Sequence, residues 1–251
     1  MGNCNQPAAL TGGRWSFYMH MFERFHRRLQ EKNDNYGAKA VTYVAIGDSV
    51  TQGAVEDGII EHEQVYHQLL RSRIFKRYPS TIVNVINSGV IGDTAVASKS
   101  RWQRDVLSYQ PDLVTIKFGL NDAHSGEAGI APYIEAIEEL VGRIREETES
   151  DILLLTPSMM MKRDNPGIAP NHRMLVPDFI RLYQQGNLSR YVEAVRSFAA
   201  RNSLPLLDVY AMWEDMEARG IDIHERLGNG INHPDRLFHH ELADRLEQML
   251  F

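Results

Sequence analysis

The stretch Val41-Thr42-Tyr43-Val44-Ala45-Ile46-Gly47-Asp48-Ser49-Val50-Thr51-Gln52-Gly53 decides the reading of this chain. Its first six residues have the pattern of a strand buried on both faces, and the glycines that follow let the backbone turn sharply at the strand end. Open α/β sheets bind their ligands just beyond the carboxyl ends of the strands, so Ser49 stands where a nucleophile is useful. A plain strand-to-helix turn, with Asp48 or Ser49 capping the next helix, accounts for the same residues. The rest of the chain has to separate the two.

Outward from this stretch, strand-like and helix-like segments alternate. Strands are expected at 41–46, 81–87, 112–118, 151–155 and 205–209, and helices near 62–77, 95–109, 131–149, 187–202 and 238–250. The 131–149 segment spaces Ile134, Ile137, Leu140, Val141 and Ile144 as the apolar stripe of a helix laid on a sheet. Such alternation predicts a parallel sheet with right-handed crossovers and helices on both faces. Before it, Trp15, Tyr18, Met19, Phe22, Phe25 and Leu29 have helical spacing over 14–32, ahead of a break at Asn33-Asp34-Asn35-Tyr36-Gly37. The expected organisation is a helical extension over 1–36 packed on one catalytic domain over 37–251. Its basic, amphipathic character leaves a membrane surface as the weaker alternative for that helix. The long irregular stretch 157–186, punctuated by Pro157, Pro166, Pro170 and Pro177, is expected to be a lid or binding element.

Composition narrows the function classes. With 251 residues, 43% hydrophobic and 24% charged, the chain can bury a core without disulfides or structural metal. Cys4 is the only cysteine, which excludes an internal disulfide and a cysteine-based zinc site. His62 and His67 are five apart, outside the spacing that puts two metal ligands on one helix face, so no metal is expected. A net charge of -6 without a long basic run argues against a nucleic-acid partner. No secretory pattern opens the sequence and no apolar stretch reaches membrane-spanning length, so a soluble, cytoplasmic protein without an integral membrane segment is expected. Nothing in the sequence specifies an oligomeric state.

Three further segments fall at the same sheet edge as Ser49. They are Asn87-Ser88-Gly89-Val90-Ile91-Gly92-Asp93-Thr94, Gly119-Leu120-Asn121-Asp122, and Gly228-Asn229-Gly230-Ile231-Asn232-His233-Pro234 before the last helix. Singly, each is an ordinary turn. Together they supply the parts for acyl transfer. A neutral histidine, His233, can take the proton of Ser49 near neutral pH. The tetrahedral intermediate then needs fixed donors for its oxyanion, and the backbone N–H groups of Ser49 and Gly92 with the Asn121 side-chain amide can supply them. Asp48 is expected to bond loop N–H groups, and Asp93 and Thr94 to brace the Gly92 turn.

The four segments resemble the ordered blocks of the SGNH, or GDSL-type, hydrolase family. Gly47-Asp48-Ser49 with Gly53 matches the first block, Gly92-Asp93-Thr94 the second, Gly119-Leu120-Asn121-Asp122 the third, and His233-Pro234 the last. The resemblance implies a flavodoxin-like three-layer α/β/α sandwich with a five-stranded parallel sheet. It implies hydrolysis of a carboxylic ester through an acyl-serine, on a small-molecule, lipid or glycan substrate, with no metal or organic cofactor. Ser49 becomes the nucleophile, His233 the base, and Ser49, Gly92 and Asn121 the oxyanion hole.

Many members of that family carry an aspartate three residues before the histidine, where this chain has Gly230. A Ser–His dyad is therefore expected, its imidazole oriented by a backbone carbonyl or by the side-chain oxygen of Asn229. Met159 and Met160 after the fourth strand, with Met174 as an opposite lip, are candidates for an acyl pocket, and His124 for a substrate contact. Two other functions fit the same parts: acyl transfer to a sugar or other alcohol, and a non-catalytic ligand-binding module on this scaffold.

Overall fold

The computed structural model describes residues 21–251. Five strands, β1 (Val41–Gly47), β2 (Val83–Gly89), β3 (Leu113–Lys117), β4 (Asp151–Leu155) and β5 (Leu206–Leu207), form one sheet. Their order is β2-β1-β3-β4-β5, and every pair is parallel. The chain runs from β1 outward to β2, then reverses past β1 to β3, which creates a topological switch point at the carboxyl ends of β1 and β3. β1 and β3 are buried along nearly their whole length, as their unbroken apolar runs require.

Helices cover both faces, giving a three-layer α/β/α sandwich. The longer ones are α1 (Glu23–Asp34), α2 (Tyr66–Arg77), α3 (Ile130–Glu147), α4 (Val176–Gln184), α5 (Asn187–Arg201), α6 (Val209–Ala218) and α7 (Arg236–Leu250). Helices α2 and α7 pack together, as do α3 and α5. Right-handed crossovers put the β1–β2 helix on one face and the β3–β4 and β4–β5 helices on the other. The stripe of α3 is buried as its spacing demands: Ile137, Leu140, Val141 and Ile144 are in the core. No helix among the described residues is long and apolar enough to cross a membrane.

Three expectations about local structure need correction. The segment 95–109 is not one helix but short turns, Ala95–Ser98, Lys99–Arg101, Trp102–Asp105 and Leu107–Tyr109. Ser98 and Ser100 each donate their hydroxyl to the carbonyl three residues back, which competes with regular helix bonding. The last strand is only two residues long, because Asp208 already accepts the Ala211 N–H as the cap of α6. And 157–186 is not wholly irregular, since it ends in the 3-10 turn Pro170–Leu175 and in α4.

Helix α1 lies beneath the amino ends of β3 and β4. Its Phe25 N–H donates to Asp151, while Arg24 and Arg28 reach Asp112. Phe22, Phe25 and Leu29 are fully buried in the same core as the sheet, so the apolar face is covered from within. Trp15, Tyr18 and Met19 of the expected 14–32 helix lie outside the described residues.

Candidate active site

At the carboxyl end of β1 the chain makes one helical turn, Ser49–Gln52, whose N-terminal cap is Asp48. The Asp48 carboxylate accepts the Val50 N–H at 3.0 Å, the role expected for it. The turn is braced from below by helix α2: Thr51 Oγ1 lies 3.0 Å from the Tyr66 hydroxyl, and the Thr51 carbonyl accepts His67 Nε2–H at 3.0 Å. These contacts hold Ser49, itself 5% exposed, at the switch point.

His233 arrives from the loop before α7, and its Nε2 lies 3.0 Å from Ser49 Oγ. Burial pushes the imidazole down to about 4, against the pull of the Asp48 charge, so the ring is neutral over most of the accessible pH range. His172 and Lys117 lower it further by like-charge repulsion. A neutral imidazole held against a serine hydroxyl can accept its proton. The loop is shaped by Asn229, but not in the way expected. Asn229 Oδ1 accepts the backbone N–H groups of Ile231, Asn232 and His233, at 3.0, 2.9 and 2.9 Å. With three donors on one oxygen, Asn229 orients the loop backbone rather than the ring. The carbonyl facing the imidazole instead is that of Val55, on the loop after the Ser49 turn, and its effect is to favour the protonated ring. Nδ1 itself has no hydrogen-bond partner among the described residues.

The position of the missing aspartate is closed by packing. Gly230 has φ +71°, and a Cβ there would stand 2.7 Å from both Gly167 C and Ile168 N. Asn165 Nδ2 donates to the Gly230 carbonyl at 2.8 Å, and Met161 N–H to that of Ile231 at 2.6 Å. The first half of the proline-rich stretch thus lies directly against the histidine loop.

Gly92 sits in a four-residue turn closed by the Asp93 N–H on the Val90 carbonyl. Its φ of +75° is the left-handed value that favours glycine. The Gly92 N–H has no acceptor among the described residues, and the turn is drawn to the nucleophile by Val90 N–H on the Gly47 carbonyl, 3.1 Å. Asn121 Nδ2 donates to the Asp93 carbonyl at 2.8 Å, so the second and third segments meet through that bond. Asp122 joins them again, accepting the Ala95 N–H at 3.0 Å. Burial raises the Asp122 carboxyl to about 7.

Ser49, His233, Gly92 and Asn121 therefore gather at one edge, and the other expected contacts do not join them in the same way. Met159 and Met160 are 1% and 0% exposed and belong to the core, because the chain leaves β4 still running beneath the surface. Met174 is 79% exposed. The ring of His124 packs edge-on against Phe179 of α4, 5.2 Å between centroids. Two groups escaped the sequence reading. Lys117, at the end of β3 and paired in register with Gly47, is fully buried, its Nζ has no partner among the described residues, and burial lowers its pKa. A lone lysine ending an apolar strand was the available signal. The other is Arg101, which is buried and bonded to both the Gly47 carbonyl and Asp93.

Comparison with known proteins agrees with this fold. Residues 45–240 match the GDSL-like Lipase/Acylhydrolase family. A 45-residue stretch is 42% identical to an acetylxylan esterase of Geobacillus stearothermophilus, covering 18% of this chain and only 20% of that relative's length. Among solved structures, a lipase/acylhydrolase from Enterococcus faecalis superposes with a TM-score of 0.62 at 25% identity, over 83% of this chain and 94% of the other. An acetylxylan esterase from Geobacillus stearothermophilus shares the fold with a TM-score of 0.62 at 19% identity, over 84% and 94% of the two chains. The chain belongs to the GDSL-like lipase/acylhydrolase family.

Proposed function

We propose that this protein is a serine esterase that uses a Ser49–His233 dyad and removes a short acyl group, acetyl above all, from a carbohydrate. The observation that carries the catalytic reading is the 3.0 Å contact between Ser49 Oγ and the Nε2 of a buried, neutral His233. The acetylxylan esterases among its relatives support the substrate class. So does the enclosure of Met159 and Met160 in the core, which removes them as walls of a long acyl channel.

In the reaction, Ser49 Oγ attacks the acyl carbon as its proton passes to His233 Nε2. The carbonyl oxygen takes up negative charge between the N–H groups of Ser49 and Gly92 and the Asn121 amide. His233 then returns the proton to the departing alkoxide, and the alcohol leaves an acyl-serine. A water molecule repeats the attack, giving its proton to His233, and collapse releases the carboxylic acid and restores the Ser49 hydroxyl. The Val55 carbonyl, facing the ring, favours the imidazolium formed in between.

A fluorophosphonate probe tests the reading without a choice of substrate. A covalent adduct mapped to Ser49, absent in Ser49→Ala and strongly slowed in His233→Ala, is the expected result. Turnover of p-nitrophenyl acetate should fall by roughly 10⁴-fold or more in both variants, since the members of such a pair act as a unit. Folded protein that takes no label, or variants that keep their activity, would overturn the assignment. Acetylated xylooligosaccharides compared with long-chain esters decide the acyl length.

A further inference from the structure

Arg101 lies in a segment that the sequence presents as a helix near 95–109, yet its guanidinium is turned inward and its side chain is 10% exposed. Four groups receive it. Nε donates to Asp93 Oδ2 at 2.8 Å, and Nη2 lies 2.6 Å from the same oxygen. Nη1 donates to the Ser88 carbonyl at 2.8 Å and to Asp105 Oδ2 at 3.3 Å, and Nη2 donates to the Gly47 carbonyl at 3.3 Å. Gly47 is two residues before Ser49, Ser88 is the penultimate residue of β2 ahead of the Gly92 turn, and Asp93 follows Gly92. The Asp93 carbonyl is also the acceptor of Asn121 Nδ2. One cation therefore touches groups beside two of the expected oxyanion donors, Ser49 and Gly92, and holds the residue, Asp93, whose carbonyl anchors the third, Asn121.

We propose that Arg101 is the positioning residue of the oxyanion hole: its planar guanidinium sets the spacing between the end of β1, which leads to the Ser49 N–H, and the Gly92–Asp93 turn, which carries the Gly92 N–H and anchors Asn121. The proposal rests on the esterase reading above. Stability alone does not require a charge here. Withdrawing a guanidinium and a carboxylate from water is costly, and a buried ion pair is often no more stabilising than apolar residues of similar volume. What apolar residues cannot supply is a rigid fork that fixes several oxygens at once, which arginine does and lysine, a point charge on a flexible stem, does not. Oxyanion donors must be held to within about 0.5 Å of their working positions, so the loss should appear in the transition state. Interactions made only there affect kcat and leave KM nearly unchanged.

The experiment compares wild type, Ser49→Ala, Arg101→Lys and the double variant Asp93→Asn/Arg101→Gln. The double variant removes both charges together, so it stays informative if a lone lysine beside Asp93 folds poorly. Measured are kcat and KM for p-nitrophenyl acetate, inhibition by phenylboronic acid as a tetrahedral adduct, and Tm. Arg101→Lys should lower kcat by about 10–100-fold, with KM within about threefold and boronate inhibition weakened by a similar factor. A folded variant with kcat within about threefold of wild type, whatever its Tm, overturns the proposal, as does a change confined to KM. If wild type is no faster than Ser49→Ala, the esterase reading itself fails and the assignment of Arg101 falls with it. If wild type depends on Ser49 while Arg101→Lys matches it, only Arg101 is misassigned.

Discussion

The two ends of the sheet treat buried polar groups in opposite ways. At the amino edge, the Asp112 carboxylate takes Arg28 Nε at 3.1 Å, Arg24 Nη2 at 3.4 Å and the Thr42 N–H at 2.9 Å, and Asp151 takes the Phe25 N–H. Helix α1 covers this end with Phe22, Phe25 and Leu29, and among the described residues only Arg24 Nε and Thr81 Oγ1 are left without a partner there. At the carboxyl edge, His233 Nδ1, Lys117 Nζ, Asp122 Oδ2 and Ser158 Oγ are buried and without a hydrogen-bond partner among the described residues. A satisfied polar group rigidifies a fold, whereas an unsatisfied one costs stability and is kept where chemistry needs it. The two ends differ in how fully their buried polar groups are paired among the described residues.

The contrast can be broken most forcefully at the carboxyl edge. Asn121→Ala should lower kcat by about 10²–10³-fold with a small change in Tm, as expected for loss of one oxyanion donor. A loss of stability with kcat intact would make Asn121 a structural tie through its bond to Asp93 and no more. At the amino edge the signature should reverse. Asp112→Ala frees two arginines that can turn toward water, so its cost should be about 2 kcal/mol, or roughly 4–8 °C in Tm, with kcat unchanged. Thermal melts paired with active-site titration check it, and a drop in kcat would show the two ends to be coupled.

Acidity gives the smallest and sharpest test. Burial depresses His67 to about 4, His239 to about 3 and His233 to about 4, all below the ordinary 6.5.

 The unfolded chain takes up these protons first, so stability present above pH 6.5 is lost as the pH falls from about 6.5 toward 3. Activity should follow a different course. The base stays neutral down to about 4, so kcat/KM for p-nitrophenyl acetate should hold between pH 7 and 5 while Tm is already declining. An acid limb near pH 6.5 would show that His233 is not shielded in solution as it is in the structure.

Much of this was legible in the sequence. The apolar run 41–46, the alternation after it and the four polar segments at strand ends carry the sheet, its parallel sense and the clustering of Ser49, Gly92, Asn121 and His233, because each depends on local pattern and on one rule of topology. What escaped depends on contacts between distant segments. Val55 faces the imidazole with a backbone carbonyl, a group every residue owns, so no side chain announces it. Arg101 sits in a segment that patterns as a helix, and nothing local says that its guanidinium is drawn inward by Asp93. Asn229 looked like a partner for the ring because it is near in sequence, but the curl of the loop points its oxygen at three backbone N–H groups. The run Met159-Met160-Met161 reads equally as pocket wall or core, and only the path of the chain beyond β4 decides for core.

The close fit of Gly167 and Ile168 against Gly230 limits what substitution alone can do at this position. A side chain at Gly230 meets two obstacles, since its Cβ would stand against backbone and the residue would be held at a φ of +71°. An acid there requires the neighbouring loop to move as well, and that loop is tied to the histidine loop by Asn165 and Met161. Position 230 is therefore closed to an acidic side chain by packing: a carboxylate three residues before His233 would need at least one further change in the facing loop.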